Sequence, residues 1–226
     1  MDMRILPFVM IFALGSSVVL AQGPPLSLAP PKSVPKAAPK GGVETVDAQE
    51  AVQRANAYFN SSPTMIADFV QLTGDSKRLE GKLYLQRPGR MRFEYAKPAT
   101  IEVVADGRSV AIRDSKLRTQ DIYLIGQTPL KFLTKEKIDL ARDTKVLDVR
   151  GDANAVSVFI EDRATLGGTS RIKLIFDPST FALKQWAVTD PQGYQTVVSL
   201  FNVDLARRPD PALFKINEER LLNTDK

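Results

Sequence analysis

From residue 65 to residue 203 apolar and polar positions alternate in short runs, and alternate residues of an extended strand share a face. The runs cover Met65–Leu72, Leu79–Gln86, Arg90–Tyr95, Ile101–Ala105, Ser109–Arg113, Thr119–Ile125, Lys145–Arg150, Ala155–Asp162, Arg171–Asp177, Phe181–Thr189 and Tyr194–Val203. Turn residues part them, among them Pro88-Gly89, Asp106-Gly107, Gly151-Asp152, Gly167-Gly168, Asp177-Pro178 and Pro191-Gln192-Gly193. About eleven short strands with turns this frequent predict a mostly β, antiparallel meander, closed or nearly closed into a barrel. Two stretches depart from this period. Asp47, with Glu50 three residues on, starts a helix whose Ala48, Ala51, Val52, Ala55 and Phe59 recur on one side. Midway, Thr128-Pro129 supplies a cap and a first-turn proline, predicting a helix through LKFLTKEKIDL in which Leu130 and Leu133 share a face and Phe132 lies nearby. Such an insert either covers a cavity as a lid or simply covers a core, and the pattern alone favours neither.

The alternation assigns an inward set: Leu83, Leu85, Met91, Phe93, Tyr95, Ile101, Val103, Val110 and Ile112. Val156, Val158, Ile160, Ile172, Leu174 and Phe176 continue it on later strands. A small barrel fills itself with such side chains, whereas a wider or open one keeps a pocket. One residue breaks the rule. Arg87 follows Leu83 and Leu85 on the same face, although its guanidinium stays charged at any physiological pH. It ends its strand beside a turn, which places it at the rim. There it either snorkels to water or donates to the orphan carbonyls at the end of a helix.

The first 42 residues read differently. Met1 to Ala21 has Arg4, an apolar run broken by Gly15-Ser16-Ser17, and a small-residue site at Val19-Leu20-Ala21, so a secretory signal cleaved near Ala21 is expected, with an uncleaved anchor as the alternative. Residues 22–42 carry six prolines with Lys32, Lys36 and Lys40 and no apolar run. This is an extended linker that acts as a spacer or touches anionic headgroups, and a single domain over 43–226 follows it. The chain carries 31 Lys+Arg against 26 Asp+Glu. The first 42 residues account for three of those five net charges, leaving +2 for the domain, too little to ask for nucleic acid.

With no histidine and no cysteine, the usual general base, thiol nucleophile and zinc ligands are absent, and so is lipid attachment through a thiol. A hydrolase would rest on carboxylates such as Glu94 and Glu102, or on a Ser-Lys pair, yet the acids fall on outward strand faces and turns. No phosphate loop or calcium loop spacing occurs. A non-enzymatic protein without cofactor or metal is expected.

The hairpin RPGRMRFEY, followed by VADGRS and later by TPLKFL, resembles the LolA family of periplasmic lipoprotein carriers, in the same order of elements from about Ala48 to Ile216. The resemblance implies an incomplete, unclosed β-barrel with helices as a lid, around an apolar cavity for acyl chains formed by the inward set from Leu83 to Ile112. It also implies a monomer with no cofactor and no catalysis. Cargo lipoproteins would come from an ATP-driven inner-membrane export complex and pass to an outer-membrane receptor. By position, Arg87 matches the family's arginine that ties barrel to lid in the empty form. Met91 and Phe93 fall where some members carry phenylalanine and tryptophan. Val110-Ala111-Ile112-Arg113 depart from members with aromatics after the Asp-Gly turn, and the proline-lysine linker is not a common feature. A related reading is a LolA-like barrel that binds or senses a lipid without delivering it.

Overall fold

Helix α1 (Ala48–Asn60) begins where the Asp47 carboxylate accepts a hydrogen bond from the Glu50 backbone N–H at 2.8 Å, satisfying one of the donors a helix start leaves open. Ala51, Val52, Ala55 and Phe59 turn inward, whereas Ala48, expected on that side, is exposed in the first turn. The computed structural model describes residues 46–217; the expected signal segment and linker lie outside the described residues.

Eleven strands follow: β1 (Thr64–Thr73), β2 (Arg78–Gln86), β3 (Arg90–Tyr95), β4 (Ile101–Asp106), β5 (Ser109–Asp114), β6 (Thr119–Leu124), β7 (Lys145–Gly151), β8 (Val156–Thr165), β9 (Gly168–Phe176), β10 (Leu183–Thr189) and β11 (Gln195–Asp204). All are antiparallel in one sheet of order β6-β5-β4-β3-β2-β1-β11-β10-β9-β8-β7. The two edge strands, β6 and β7, follow one another in the chain but do not pair, so the barrel is incomplete. Residues 125–144, between these edges, form the lid.

Register converts the alternation into rows. Leu83, Phe93, Val103 and Ile112 are cross-strand partners across β2 to β5, and Leu85, Met91, Ala105, Val110 and Tyr123 form a second row that reaches β6. Same-face neighbours across strands are the unit of sheet stability. The side chains of these rows and of the later strands meet in one core.

The lid is not the single helix expected after Thr128-Pro129. It consists of a 3-10 turn (Ile125–Gln127), α2 (Lys131–Thr134) and α3 (Leu140–Asp143). The Thr128 hydroxyl donates back to the Ile125 carbonyl at 2.8 Å, closing the 3-10 turn, so it does not cap a helix. A helix this short gains little from its own hydrogen bonds, and α1 offers the intervening backbone better partners. The Asn60 side chain accepts from the Ile138 N–H at 3.0 Å and donates to the Ile138 carbonyl at 2.8 Å. One turn back on the same helix, the Asn56 carboxamide oxygen accepts from the Leu140 N–H at 3.0 Å. Two amides at i and i+4 thus hold the break as a neighbouring strand would, and Asp139 starts α3 by accepting from the Arg142 N–H.

Val104 and Ala111 point away from the barrel interior but are buried, because the chain returns after β11 and lays Pro211–Phe214 over the outer face of β3 and β4.

Candidate functional site

The apolar inward set belongs to β2–β5, and its members are nearly all sealed from solvent. Leu83, Leu85, Met91, Phe93, Val103 and Val110 are buried, and Tyr95, Ile101 and Ile112 pack against them partly exposed. Tyr95 is not wholly apolar: its hydroxyl donates to the Gln71 side-chain oxygen at 2.8 Å, and burial pushes its pKa above the usual phenol range. Aromatic edges carry the contact from sheet to lid to helix. Phe69 meets Phe93 at 5.1 Å between centroids, Phe93 meets Trp186 at 6.5 Å, Trp186 meets Phe132 of α2 at 6.1 Å, and Phe132 meets Phe59 of α1 at 6.4 Å. In the lid, Phe132 and Leu133 are buried and Leu130 is half-buried. These side chains pack together into one core between sheet, α2 and α1.

Arg87 lies beneath the lid, only 9 % exposed, not at a water-facing rim. Its Nε donates to the Leu133 carbonyl of α2 at 2.8 Å. Its Nη1 donates to the Ser62 carbonyl at 2.8 Å and to the Phe59 carbonyl. These are carbonyls in the last turns of α1 and α2 or just past them, which lack an intrahelical partner. One fork therefore serves two helix ends, and the negative pole of α1 favours the cation there. All three hydrogen-bond acceptors are carbonyls, so no carboxylate among them offsets the charge. Burial, opposed only weakly by Tyr58, lowers its pKa to about 10, which leaves it charged at neutral pH. A hydrogen bond to a charged group is worth about 1.5–3 kcal/mol net, whereas burying an ion costs several kcal/mol. The two contributions oppose one another, so the net worth of the arrangement is less than the sum of its hydrogen bonds.

The turn after Arg87 adds a further tie, because the Gly89 N–H donates to the Thr134 carbonyl at 2.7 Å. Gly89 has φ +72°, and a Cβ there would collide with the backbone of Gly107. Gly89→Ala is therefore expected to cost about 1–3 kcal/mol and to loosen the lid. Thermal unfolding together with hydrogen exchange at residues 131–134 checks this, and exchange unchanged from wild type would count against it.

The opposite side of the lid is tied as well. Lys131 of α2 meets Asp162 of β8 at 2.8 Å, with side chains 13 % and 3 % exposed. Leu166 donates its N–H to the Gln127 carbonyl at 2.7 Å. Sequence reasoning missed Asp162, yet the signal was the one that marked Arg87. Asp162 is the next member of the inward row Val156, Val158, Ile160, a charge ending an apolar row. The amide clamp of Asn56 and Asn60 was also missed, since polar residues on a helix otherwise read as a solvated face.

Glu94 and Glu102, the carboxylates a hydrolase would need, are cross-strand partners on the outer face, and Glu102 pairs with Arg92 at 2.5 Å. Among the described residues no cluster of three or more carboxylates is placed to hold a metal, and no helix is long and apolar enough to cross a membrane.

The sequence pattern of the family described as outer membrane lipoprotein carrier protein LolA matches residues 60–217. An outer-membrane lipoprotein carrier protein of Legionella pneumophila (strain Lens) is 28 % identical over 181 residues, 76 % of this chain and 88 % of that one. One of Methylobacillus flagellatus is 32 % identical over 93 residues, 37 % of this chain and 45 % of its own length, so that match spans less than half of the relative. Among solved structures, a LolA superfamily protein from Nitrosomonas europaea aligns with 76 % of this chain and 98 % of its own at 10 % identity and TM-score 0.43.

Proposed function

The chain belongs to the LolA family of outer membrane lipoprotein carriers, and from that premise we propose that it is a periplasmic, non-enzymatic carrier that holds lipoprotein acyl chains against the inner face of β2–β5. The observation that supports this best is Arg87: a buried cation on the carbonyls of two helix ends, beside a core built mainly of apolar side chains. In this reading Arg87 latches the lid of the empty protein. Acyl chains enter by lifting α2, and Phe132 then exchanges its contacts with Trp186 and Phe59 for contacts with cargo. The carbonyls of Phe59, Ser62 and Leu133 and the guanidinium regain water as the lid lifts.

Magnitudes explain why a latch helps. Three acyl chains hold roughly 45 methylenes, worth about 0.8 kcal/mol each on burial, so full sequestration approaches ~35 kcal/mol. Non-covalent affinity saturates near about −20 kcal/mol, and a carrier that bound so tightly would not release. Covering the chains partly, and breaking its own closed contacts on loading, brings the affinity into a range where a more apolar acceptor can take the cargo. An inner-membrane ATP-driven export complex as donor, an outer-membrane acceptor and a monomeric carrier complete the proposal.

An environment-sensitive apolar dye is expected to bind the folded protein saturably and to be displaced by a triacylated peptide but not by its deacylated form. Absence of saturable dye binding would mean a permanently solid core and would end the carrier reading. Depletion in cells should leave outer-membrane lipoproteins in the inner membrane; an unchanged distribution would point to a barrel that binds lipid without delivering it.

A further inference from the structure

On the outer face of the sheet, the face away from the apolar interior, a cleft of about 230 Å³ lies between β3–β6 and the C-terminal segment. Val104 and Ala111 form its floor, and Arg92, Glu102, Arg113, Gln120 and Lys215 form its walls. The segment that closes it is fastened from both sides. Arg92 Nη1 donates to the Leu213 carbonyl at 3.2 Å, Gln120 Nε2 donates to the Asn217 carbonyl at 3.3 Å, and Phe214 is buried. Strand register puts Arg113 directly between Glu102 on β4 and Gln120 on β6. Arg92 is held by Glu102, yet its Nε is buried and has no protein partner. A buried donor without a partner is uncommon and calls for a water or an ion.

Three cations from three separate elements thus converge against one carboxylate. Such a surplus of positive charge, facing one cleft, attracts an anion and does so most strongly at low ionic strength. Two of the cations are guanidinium forks, whose planar donors match the oxygens of phosphate. A tetrahedral group offers acceptor oxygens in several directions to donors arriving from β3, β5 and the C-terminal segment, whereas the lone pairs of a carboxylate lie in one plane. Glu102 cancels one charge, limiting the site to a group of one or two negative charges. We propose that this cleft is an anion site for a phosphate mono- or diester, presented either by an anionic lipid headgroup or by a free phosphate compound. It lies on the opposite face from the interior and stands independently of the carrier reading.

Inorganic phosphate titrated into the full chain at low ionic strength, followed by calorimetry, should show saturable one-to-one binding that weakens as salt is added. Arg113→Gln should weaken it about tenfold, and Glu102→Gln, which removes the competing carboxylate, should strengthen it by a similar factor. The opposite signs separate a binding site from mere structural support. Flotation with phosphatidylglycerol vesicles, with phosphatidylcholine vesicles as the reference, identifies the source. Binding to the anionic vesicles that phosphate competes away assigns a headgroup, and phosphate binding without vesicle binding assigns a soluble phosphate. The proposal is overturned if neither phosphate nor anionic vesicles bind, if both substitutions leave binding unchanged, or if an acidic peptide binds and phosphate does not.

Discussion

Arg87→Leu is expected to raise affinity for acylated cargo about ten- to hundredfold and to slow its transfer to an acceptor. The substitution removes the donor to Leu133, Ser62 and Phe59, and each charge-assisted bond is worth about 1.5–3 kcal/mol. It also relieves the cost of burying an uncompensated cation, so the net loss to the closed form is set at about 1.5–3 kcal/mol in total. At 1.4 kcal/mol per tenfold, that loss gives the stated gain in affinity. The new leucine extends the row of Leu83 and Leu85 and favours the loaded form further. The empty protein should unfold more easily, because three carbonyls near two helix ends lose their partner. Arg87→Lys keeps the charge but loses the fork that spans α1 and α2, so it should fall between wild type and Leu. Competition binding with a triacylated peptide checks the order, and equal affinities for all three proteins would remove the latch.

The second large effect belongs to the far side of the lid. Removing one partner of a buried ion pair strands the other, at a cost of about 3–5 kcal/mol. Asp162→Ala and Lys131→Met should therefore each lower Tm by about 10 °C, given roughly 2–4 °C per kcal/mol for a domain of this size. Replacing both, as Lys131→Met with Asp162→Leu, should recover most of that loss, because an apolar pair of similar volume commonly equals or exceeds a buried salt bridge. Thermal unfolding of the two single variants and the double gives the coupling. Additive losses would show that Lys131 and Asp162 do not support one another.

The sheet was legible because its rule is local. Alternation and turn residues placed every strand within a few residues, and the Pro88-Gly89 turn marked the hairpin in which the structure sets Leu83 opposite Phe93 and Leu85 opposite Met91. The lid was less so. Local signals at Thr128-Pro129 favoured one continuous helix, but the segment between α2 and α3 is shaped by Asn56 and Asn60, about 80 residues away in sequence, and tertiary partners override a short helix's weak propensity. Arg87 could be singled out as an exception to an apolar row, although nothing in the alternation said that Phe59 and Ser62 would be among its acceptors. Asp162 carried the same mark, but an aspartate near a strand end reads equally well as a turn residue, and Lys131, its partner, lies 31 residues away in sequence. The buried outward positions Val104 and Ala111 were hidden too, since their cover comes from a segment that returns after β11.

The most direct test of the latch follows the lid itself. The chain has no cysteine, so Glu136→Cys on the lid and Arg90→Cys at the start of β3, both exposed positions, can carry a pair of spin labels whose separation is read by pulsed electron resonance. The empty protein should give one short, narrow distance distribution. A triacylated peptide should shift it to longer distances, and Arg87→Leu should populate the longer distances without cargo. A distribution that stays short and narrow with cargo bound, or that Arg87→Leu leaves unmoved, would contradict a lid held down by Arg87.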